Sequence, residues 1–493
     1  MRNQLPVVSC QLPVQSSVVG RPSLASLSKR RIHLSEGHGF SRAVSFAKKF
    51  RALAPEVSIL SFRAAFVFFV VCLCLSIAAS AQTVVLKGGK LLTITHGTVD
   101  NGVVVMQNGK ITAVGGPGTA IPAGAQVIDV TGMTVYPGLI DAETHLGLTE
   151  IGAEAMTNDL VEPSDEIMPH MHVYDAFHAE TELIPVTRIN GITNAIVAPA
   201  EGDSLPGQDS FIQLAGGNRD EMILGRDVAL PMNVSGDQRR RGGGGEGGIG
   251  GRFPSTRMGV VAQLRQTFLD AQDYASKQNA PASSASGDKA APARPGKRDL
   301  KMEALLPYLQ GKRPVVLTAH QADEVLTAVE LAREFNLHVI LNHVDKAENV
   351  VDQIAAYRVP VIVGPIYTFP GDEERYDAVY RIPAELAKRG VKIAFATYGD
   401  DHNARNLPYQ AGYAVAFGLP YDDALKAITI NPAEMFGVAD QLGSLDVGKT
   451  ANVVVANGDP LDVRTDVKHV FIQGKEIPLE SKQTRLRDMY MPK

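Results

Sequence analysis

The chain has 493 residues, of which 45% are hydrophobic and 20% are charged, and its formal net charge is −5. This composition is that of ordinary globular proteins and excludes whole-chain disorder. The mildly acidic balance gives no reason to expect a nucleic-acid partner or attraction to an anionic membrane surface. The expected partner is therefore a small-molecule substrate.

The first predicted element is an apolar segment near the amino terminus. Residues 64–81 read AAFVFFVVCLCLSIAASA, follow a basic stretch and end in the small-x-small pattern Ala79-Ser80-Ala81. The pattern predicts a secretory signal peptide, so residues 1–81 are expected to be a basic extension plus that signal. Export to the periplasm or to the cell exterior follows. A membrane anchor is the alternative, because an apolar segment of this length is just able to cross a bilayer.

Cysteine usage agrees with the signal-peptide interpretation. All three cysteines, Cys10, Cys72 and Cys74, lie in or before the predicted signal. Cleavage after Ala81 would leave a mature chain without cysteine, so neither disulfides nor thiol catalysis is expected.

Short β-hairpins are predicted at both ends of the mature chain. Residues 82–136 contain two β-rich runs separated by Asn108-Gly109, which is a strong hairpin signal. Residues 441–493 repeat the pattern, with turns at Asn457-Gly458 and Gln473-Gly474. We expect the two ends to pair into one small β-sandwich, so that the region between them is a separate domain.

The intervening region, residues 137–440, alternates apolar strands with amphipathic helices from Pro314 onward. In the segment DEVLTAVELAREF, Val325, Val329 and Ala332 fall on one helical face. Alternating β and α elements predict a parallel sheet with helical crossovers. The length favours a closed (β/α)₈ TIM-like barrel, an α/β fold, and an open doubly wound sheet is the alternative. Low-complexity stretches near 239–252 and 276–298 are expected to be flexible insertions.

Candidate chemical groups are the polar residues that directly follow apolar runs. In a barrel of this kind, reactive side chains stand at the carboxyl ends of the strands. Four runs end in such residues, namely Glu143 and His145, then His320, then His343, and finally Asp400 with Asp401. Glu143 and His145 are two apart on an extended segment and are expected to point to the same side. Imidazole and carboxylate together suit zinc, and manganese or iron would also fit.

A histidine that follows a strand is often only a hydrogen-bonded barrel residue, and this structural role is the alternative to metal ligation for His320 and His343. Their placement at different strand ends favours the metal interpretation. His170 and His172 also have ligand-like spacing, but they lie in a polar segment after Pro169 and are expected to belong to a loop or helix surface.

The segment VYPGLIDAETHLGL, the strand-end histidines, the tail NPAEMFGVADQLGSLDVGKTANVVV and the divided β module together resemble the metal-dependent amidohydrolase superfamily, in particular its imidazolonepropionase-like branch. The resemblance covers roughly residues 83–480. It implies a distorted barrel, a urease-like β-sandwich built from both chain ends, and hydrolysis of C–N bonds with a metal-activated water.

The resemblance also implies roles for individual residues. Glu143 and His145 occupy the positions of the family's first-strand His-x-His pair, and His320 and His343 occupy the next two ligand positions. Asp400 takes the position of the catalytic aspartate, with Asp401 as its rival. Arg405 is a candidate for binding a substrate carboxylate, and a structural ion pair is its alternative. The bridging lysine of two-metal members, expected on the fourth strand, is not identifiable, which favours one zinc ion.

Two functions remain open at this point. The first is an exported metal-dependent hydrolase that acts on an amide, a cyclic amide or a dipeptide-like substrate, and that could assemble as a homo-oligomer. The second is a catalytically impaired descendant that uses the barrel to bind a small molecule or a partner. Glu143 is the reason for the second, because a carboxylate in place of imidazole makes a bound cation a weaker acid toward water.

Overall fold

The computed structural model describes residues 83–235, 253–279, 298–346, 348–368, 375–399 and 401–491. The predicted signal peptide, the predicted insertion near 239–252, most of the one near 276–298, and Asp400 lie outside these residues. Export and the proposed domain boundaries therefore stay predictions. In the described part of the chain, no helix combines the length and apolarity needed to cross a membrane.

In the described residues, sixteen strands form two sheets. Those that come first in the chain are β1 (Val84–Leu92), β2 (Thr98–Gln107), β3 (Lys110–Gly115), β4 (Gln126–Asp129) and β5 (Thr134–Pro137). The next eight are β6 (Leu139–Thr144), β7 (Ile192–Val197), β8 (Asp209–Gln213), β9 (Ile223–Asn233), β10 (Val315–Gln321), β11 (Val339–Lys346), β12 (Val361–Val363) and β13 (Ile393–Phe395). The last three are β14 (Val453–Ala456), β15 (Val467–Ile472) and β16 (Lys475–Ile477).

Helices connect or flank these strands. They are α1 (Val173–Ala176), α2 (Leu183–Arg188), α3 (Arg219–Met222), α4 (Arg257–Asn279), α5 (Leu300–Leu309), α6 (Ala322–Glu334), α7 (Val351–Tyr357), α8 (Ala378–Lys388), α9 (Leu407–Ala416), α10 (Tyr421–Ala427), α11 (Ile430–Met435) and α12 (Lys482–Tyr490). Three 3₁₀ segments are Ala155–Thr157, Glu348–Val350 and Asp401–Asn406.

The two ends of the chain share one sheet, in the order β16-β15-β14-β5-β1-β2-β3, with β4 paired to β1. The junction is the antiparallel pair β5–β14, in which Tyr136 lies opposite Val454. The apolar residues on one side of this sheet form a core that includes Leu86, Val104 and Phe471. The prediction that both chain ends build one β module agrees with this arrangement, and its folding into a two-layer sandwich stays a prediction.

The middle strands form a second sheet in the order β13-β12-β11-β10-β9-β8-β7-β6. A parallel bridge between Thr144 and Tyr398 joins its two edges, which makes the sheet a nearly closed barrel. A buried apolar cluster fills the interior and takes residues from all eight strands. Those strand residues are Ile140, Ala142, Ile196, Phe211, Ala229, Val316, Ile340, Ile362 and Ala394. The predicted α/β TIM-like barrel is confirmed, and the open sheet is not observed.

The barrel departs from a regular (β/α)₈ arrangement at its third strand. β8 runs antiparallel to both β7 and β9. No helix lies in the connection between β7 and β8, and a parallel pairing needs a longer crossover, usually helical. The chain therefore returns directly, and the expected alternation of parallel strands and helices is interrupted at β8.

Candidate metal centre

Three polar side chains, those of His320, His343 and Glu201, lie at one mouth of the barrel. His320 is near the end of β10, His343 lies within the last part of β11, and Glu201 follows β7. The apolar part of each strand is buried between the barrel interior and the outer helices, so the polar residue is delivered where the strand leaves the core. The position of His320 and His343 at adjacent strand ends agrees with the sequence prediction.

Glu201, His320 and His343 form the single metal-binding group found among the described residues. One ligand atom from each lies within 4.8 Å of the other two. Glu201 Oε1 is 2.5 Å from His343 Nε2, and Glu201 Oε2 is 3.2 Å from His320 Nε2. The two imidazole rings are 4.7 Å apart between centroids. Glu201 and His343 are buried, and His320 is half-buried.

The electrostatics of the group favour a charged carboxylate. Burial opposes ionisation of Glu201, but the charge and hydrogen bonds of His343 and His320 outweigh it and hold the pKa of Glu201 well below its ordinary value. Burial lowers the pKa of His320, and the hydrogen bonds to Asp345 and Glu201 reverse this and raise it to about 10. Without a cation, the carboxylate and the imidazole therefore form an ion pair.

Supporting residues fix the orientation of His320. Asp345 Oδ1 lies 2.8 Å from His320 Nδ1, which leaves Nε2 directed toward Glu201. The backbone N–H of His320 donates to Glu324 Oε2 at 3.0 Å. A carboxylate on the far nitrogen is the usual support of a metal-ligating histidine. Asp345 and Glu324 thus perform a function that the sequence pattern did not reveal.

His343 is held in an unusual backbone conformation. Its φ is +69°, and the following residue, Val344, has φ of +51°. Histidine adopts the left-handed region more readily than most residues, but a β-branched residue such as Val344 is an outlier there, and outliers of this kind cluster at functional sites. The N–H of His343 donates to Asn342 Oδ1 at 2.9 Å. Nε2 of His343 is buried and faces Glu201 Oε1.

The predicted first-strand pair lies outside this group. The Nδ2 atom of Asn342 donates to Glu143 Oε2 at 2.6 Å, and burial together with Asp209 and Glu201 raises the pKa of Glu143 well above its ordinary value. His145 Nδ1 contacts the Ala198 carbonyl at 2.8 Å, and burial lowers the pKa of His145 to about 4. Metal ligation by Glu143 and His145 stays a prediction, and the geometry favours Glu201 as the third ligand.

Tyr398 lies between the pair and the group. Its ring centroid is 4.5 Å from that of His145 and 4.5 Å from that of His343. Its hydroxyl oxygen accepts a hydrogen bond from the N–H of Glu201 at 3.1 Å. Tyr398 lies two residues before Asp400, the position predicted from the sequence, and among the described residues of this segment it is the one whose ring contacts the histidines.

For Asp400, Asp401 and Arg405, no contact with the three-residue group is seen among the described residues. Asp400 lies outside the described residues, as does the side chain of Asp401. Arg405 donates from Nη1 to the His402 carbonyl at 3.3 Å, and its own carbonyl accepts from Asn190 Nδ2. The roles of Asp400 as catalytic base and of Arg405 as substrate-binding residue stay predictions.

Glu201 was missed although its signal is present. It follows the apolar run AIVAPA, and the rule that selected His320 and His343 would have selected it too. The fourth barrel strand, β9, ends in Asn233 rather than lysine, and Asn233 Nδ2 donates to the Glu201 carbonyl at 2.6 Å. His172, predicted to be a surface residue, is half-buried and lies 2.6 Å from Asp227.

Comparison with known proteins gives a consistent result. Residues 317–477, which include His320 and His343, match the model of the amidohydrolase family. The crystal structure of an amidohydrolase from Thermotoga maritima MSB8 is 30% identical, covers 80% of this chain and 99% of that one, and superimposes with a TM-score of 0.71.

Two curated relatives are similar over most of the chain. Imidazolonepropionase of Brucella anthropi is 25% identical over 403 residues, covering 73% of this chain and 87% of that protein. Amidohydrolase tasK of Hapsidospora irregularis is 25% identical over 391 residues, covering 76% of this chain but only 39% of that longer protein. With the barrel and the strand-end histidines, these similarities show that the chain belongs to the amidohydrolase family.

Proposed function

We propose that this hydrolase cleaves a C–N bond in a small amide, cyclic amide or dipeptide-like substrate, and that it requires one divalent cation. The observation that carries the proposal is the convergence of Glu201, His320 and His343 at the barrel mouth. Reactive groups in TIM-like barrels stand at this mouth.

The three side chains fit a divalent cation. Two imidazole nitrogens and one carboxylate are the ligand set of many catalytic zinc sites, which keep a further position open for water or substrate. The buried Nε2 of His343 has the Glu201 carboxylate as its neighbour, at 2.5 Å, and both groups would be available to a shared cation. The donor set favours zinc, and manganese or iron would also be accepted.

Each of the site residues has a defined role in this proposal. A divalent cation supplies Lewis acidity, which acidifies water and polarises a carbonyl. His320 and His343 would hold the cation through Nε2, and Asp345 keeps His320 in the required tautomer through Nδ1. Glu201 contributes the charge that holds the cation in the buried site. Asp400 is the proposed base that carries a proton from water to the leaving nitrogen.

Metal content tests the proposal directly. The chain is expressed with zinc, manganese and iron supplied, purified, dialysed, and analysed for bound metal and for hydrolysis of a panel of amides, cyclic amides and dipeptides. We expect about one equivalent of metal and turnover that a chelator abolishes. Glu201→Gln should weaken metal binding more than the roughly 100-fold loss that follows from changing a residue that only supports a ligand.

A matched control is available outside the site. Glu476 lies 2.6 Å from His469 Nδ1 in a second glutamate–histidine pair, on the terminal sheet, and Glu476→Gln should leave metal content unchanged. Protein without metal under all three supplements would contradict the hydrolase proposal and would favour the binding-module alternative. Equal metal content in Glu201→Gln and wild type would show that the ligands are other residues.

A further inference from the structure

Tyr398 enters the barrel mouth through a constrained backbone. It follows β13, and its φ of +48° places it in the left-handed region, where a bulky residue is rare. Its N–H donates to the Glu143 carbonyl at 2.9 Å, in the segment that closes the barrel between Thr144 and Tyr398. The closure of the barrel therefore fixes where this side chain points.

The ring of Tyr398 fills the space between two histidines. It lies edge-on to His343, at 88°, and tilted by 59° against His145, with both centroid distances at 4.5 Å. His145 is held from its other side, because Nδ1 contacts the Ala198 carbonyl. The aromatic ring thus packs against the imidazoles of both His145 and His343.

The hydroxyl of Tyr398 contacts Glu201 twice. Its oxygen accepts from the Glu201 N–H at 3.1 Å, and its O–H hydrogen-bonds the Glu201 side chain. A phenol is protonated at neutral pH, so the Tyr398 hydroxyl has an O–H to donate. One residue therefore holds both the backbone and the carboxylate of Glu201.

We propose that Tyr398 is a positioning residue of the metal centre, whose hydroxyl orients the Glu201 carboxylate and whose ring limits the centre to one cation. The inference rests on the proposed function. It deepens that function, because it assigns the orientation of a metal ligand to Tyr398, which is not itself one of the three proposed ligands.

Tyr398 is assigned this role because few other groups can orient the Glu201 carboxylate once a cation is bound. In the described structure, its two carboxylate oxygens face His343 and His320. Both imidazoles are needed as ligands, so neither can orient the carboxylate when a cation is present. The phenol O–H is the partner that still can. Residues that orient a ligand in this manner typically change metal affinity by roughly 10- to 100-fold when they are altered.

The test uses full-length metal-free protein and Zn²⁺ alone, titrated against a competing chelator. Wild type should bind one equivalent. Tyr398→Phe keeps the ring and loses the O–H, so it should also bind one equivalent, with a Kd raised by about 10- to 100-fold. The melting temperature of the metal-free variant shows whether a change in affinity comes from unfolding.

Tyr421→Phe is the matched control, because the Tyr421 hydroxyl donates to Asp459 at 2.8 Å on the outer surface of the barrel. Its Kd for zinc should equal that of wild type. A Kd for Tyr398→Phe equal to that of the control, or two equivalents bound by wild type, would overturn the inference and leave the proposed function standing. Wild type that binds no zinc would overturn both.

Discussion

Gly364 allows the ends of β12 and β13 to approach each other beside the site. Its φ is +125°, and a Cβ atom at this position would lie 2.3 Å from the Ala396 carbonyl oxygen. Ala396 in turn donates to the Val363 carbonyl at 3.0 Å, which keeps the strand ends paired. Ala396 lies two residues before Tyr398, so the identity of one glycine controls how the tyrosine reaches the histidines.

Gly364→Ala should lower the free energy of unfolding by about 3 kcal/mol or more, because backbone strain adds to a steric clash. Gly390→Ala is the control. Gly390 also has a positive φ, +76°, but open space surrounds the position of a Cβ, so the expected loss is only about 1 kcal/mol. Urea denaturation of both variants measures the difference, and equal losses would show that the clash is relieved by a backbone shift.

Helix α6 connects the metal site to the outer layer of the barrel. It begins directly after β10, and its buried face contains Val325, Val329 and Ala332, as the sequence predicted. Glu324, in its first turn, is almost fully buried and accepts from the N–H groups of His320 and Gln321. The Glu324 carboxylate therefore caps the backbone at the junction of β10 and α6 and also fixes the backbone of His320, a proposed metal ligand.

Glu324→Ala should lower the free energy of unfolding by about 2 kcal/mol, because the capping bonds are lost and buried N–H groups are left without an acceptor. It should also weaken zinc binding, since the His320 backbone is released. Asp323→Ala changes the neighbouring position, whose carboxylate pairs with Arg257 at the surface, and should cost less than about 1 kcal/mol. Chemical denaturation and zinc titration of both variants test this, and similar costs would contradict it.

At the scale of the whole molecule, the carboxyl-terminal strands complete a sheet that the amino-terminal strands begin. β14 pairs with β5, and the turn after β15 reaches back to Asn452, whose Oδ1 accepts from the Gln473 N–H. Asn452 also donates to Asn194 Oδ1 in β7, at 2.8 Å. The terminal sheet is therefore joined by hydrogen bonds to the barrel that carries the site.

Truncation after residue 452 should prevent stable folding. It removes the buried side chains Val453, Val454, Val455, Val470, Phe471 and Ile472. At about 2 kcal/mol for each of these six apolar side chains, their loss costs about 12 kcal/mol, which is comparable to the whole stability of a typical domain.

Truncation after residue 481 is the control, because it keeps the buried Ser481. It removes helix α12, which buries no residue and whose Arg485 forms an exposed ion pair with Glu182. This truncation should change stability by less than about 1 kcal/mol. Soluble yield and thermal unfolding separate the two variants, and a stable protein ending at residue 452 would contradict the prediction.

Local patterns in the sequence were enough to predict the strands, the helices and part of the site. Burial patterns along β10, α6, β11 and β13 are local properties, so the alternation of strands and helices and the placement of His320 and His343 were predictable. The terminal hairpins were predictable for the same reason, because Asn-Gly turns act over a few residues.

Which side chains meet depends on the tertiary fold. Metal ligation by Glu143 and His145 stays a prediction, and in the fold Glu143 accepts from Asn342 while His145 contacts the Ala198 carbonyl. Glu201 and Tyr398 are separated by almost 200 residues, and their contact depends on closure of the barrel. Such a contact is set by the directions of distant strands. No local pattern encodes it, so the strand-end rule can select His320, His343 and Glu201 from the sequence but cannot show that Tyr398 reaches them.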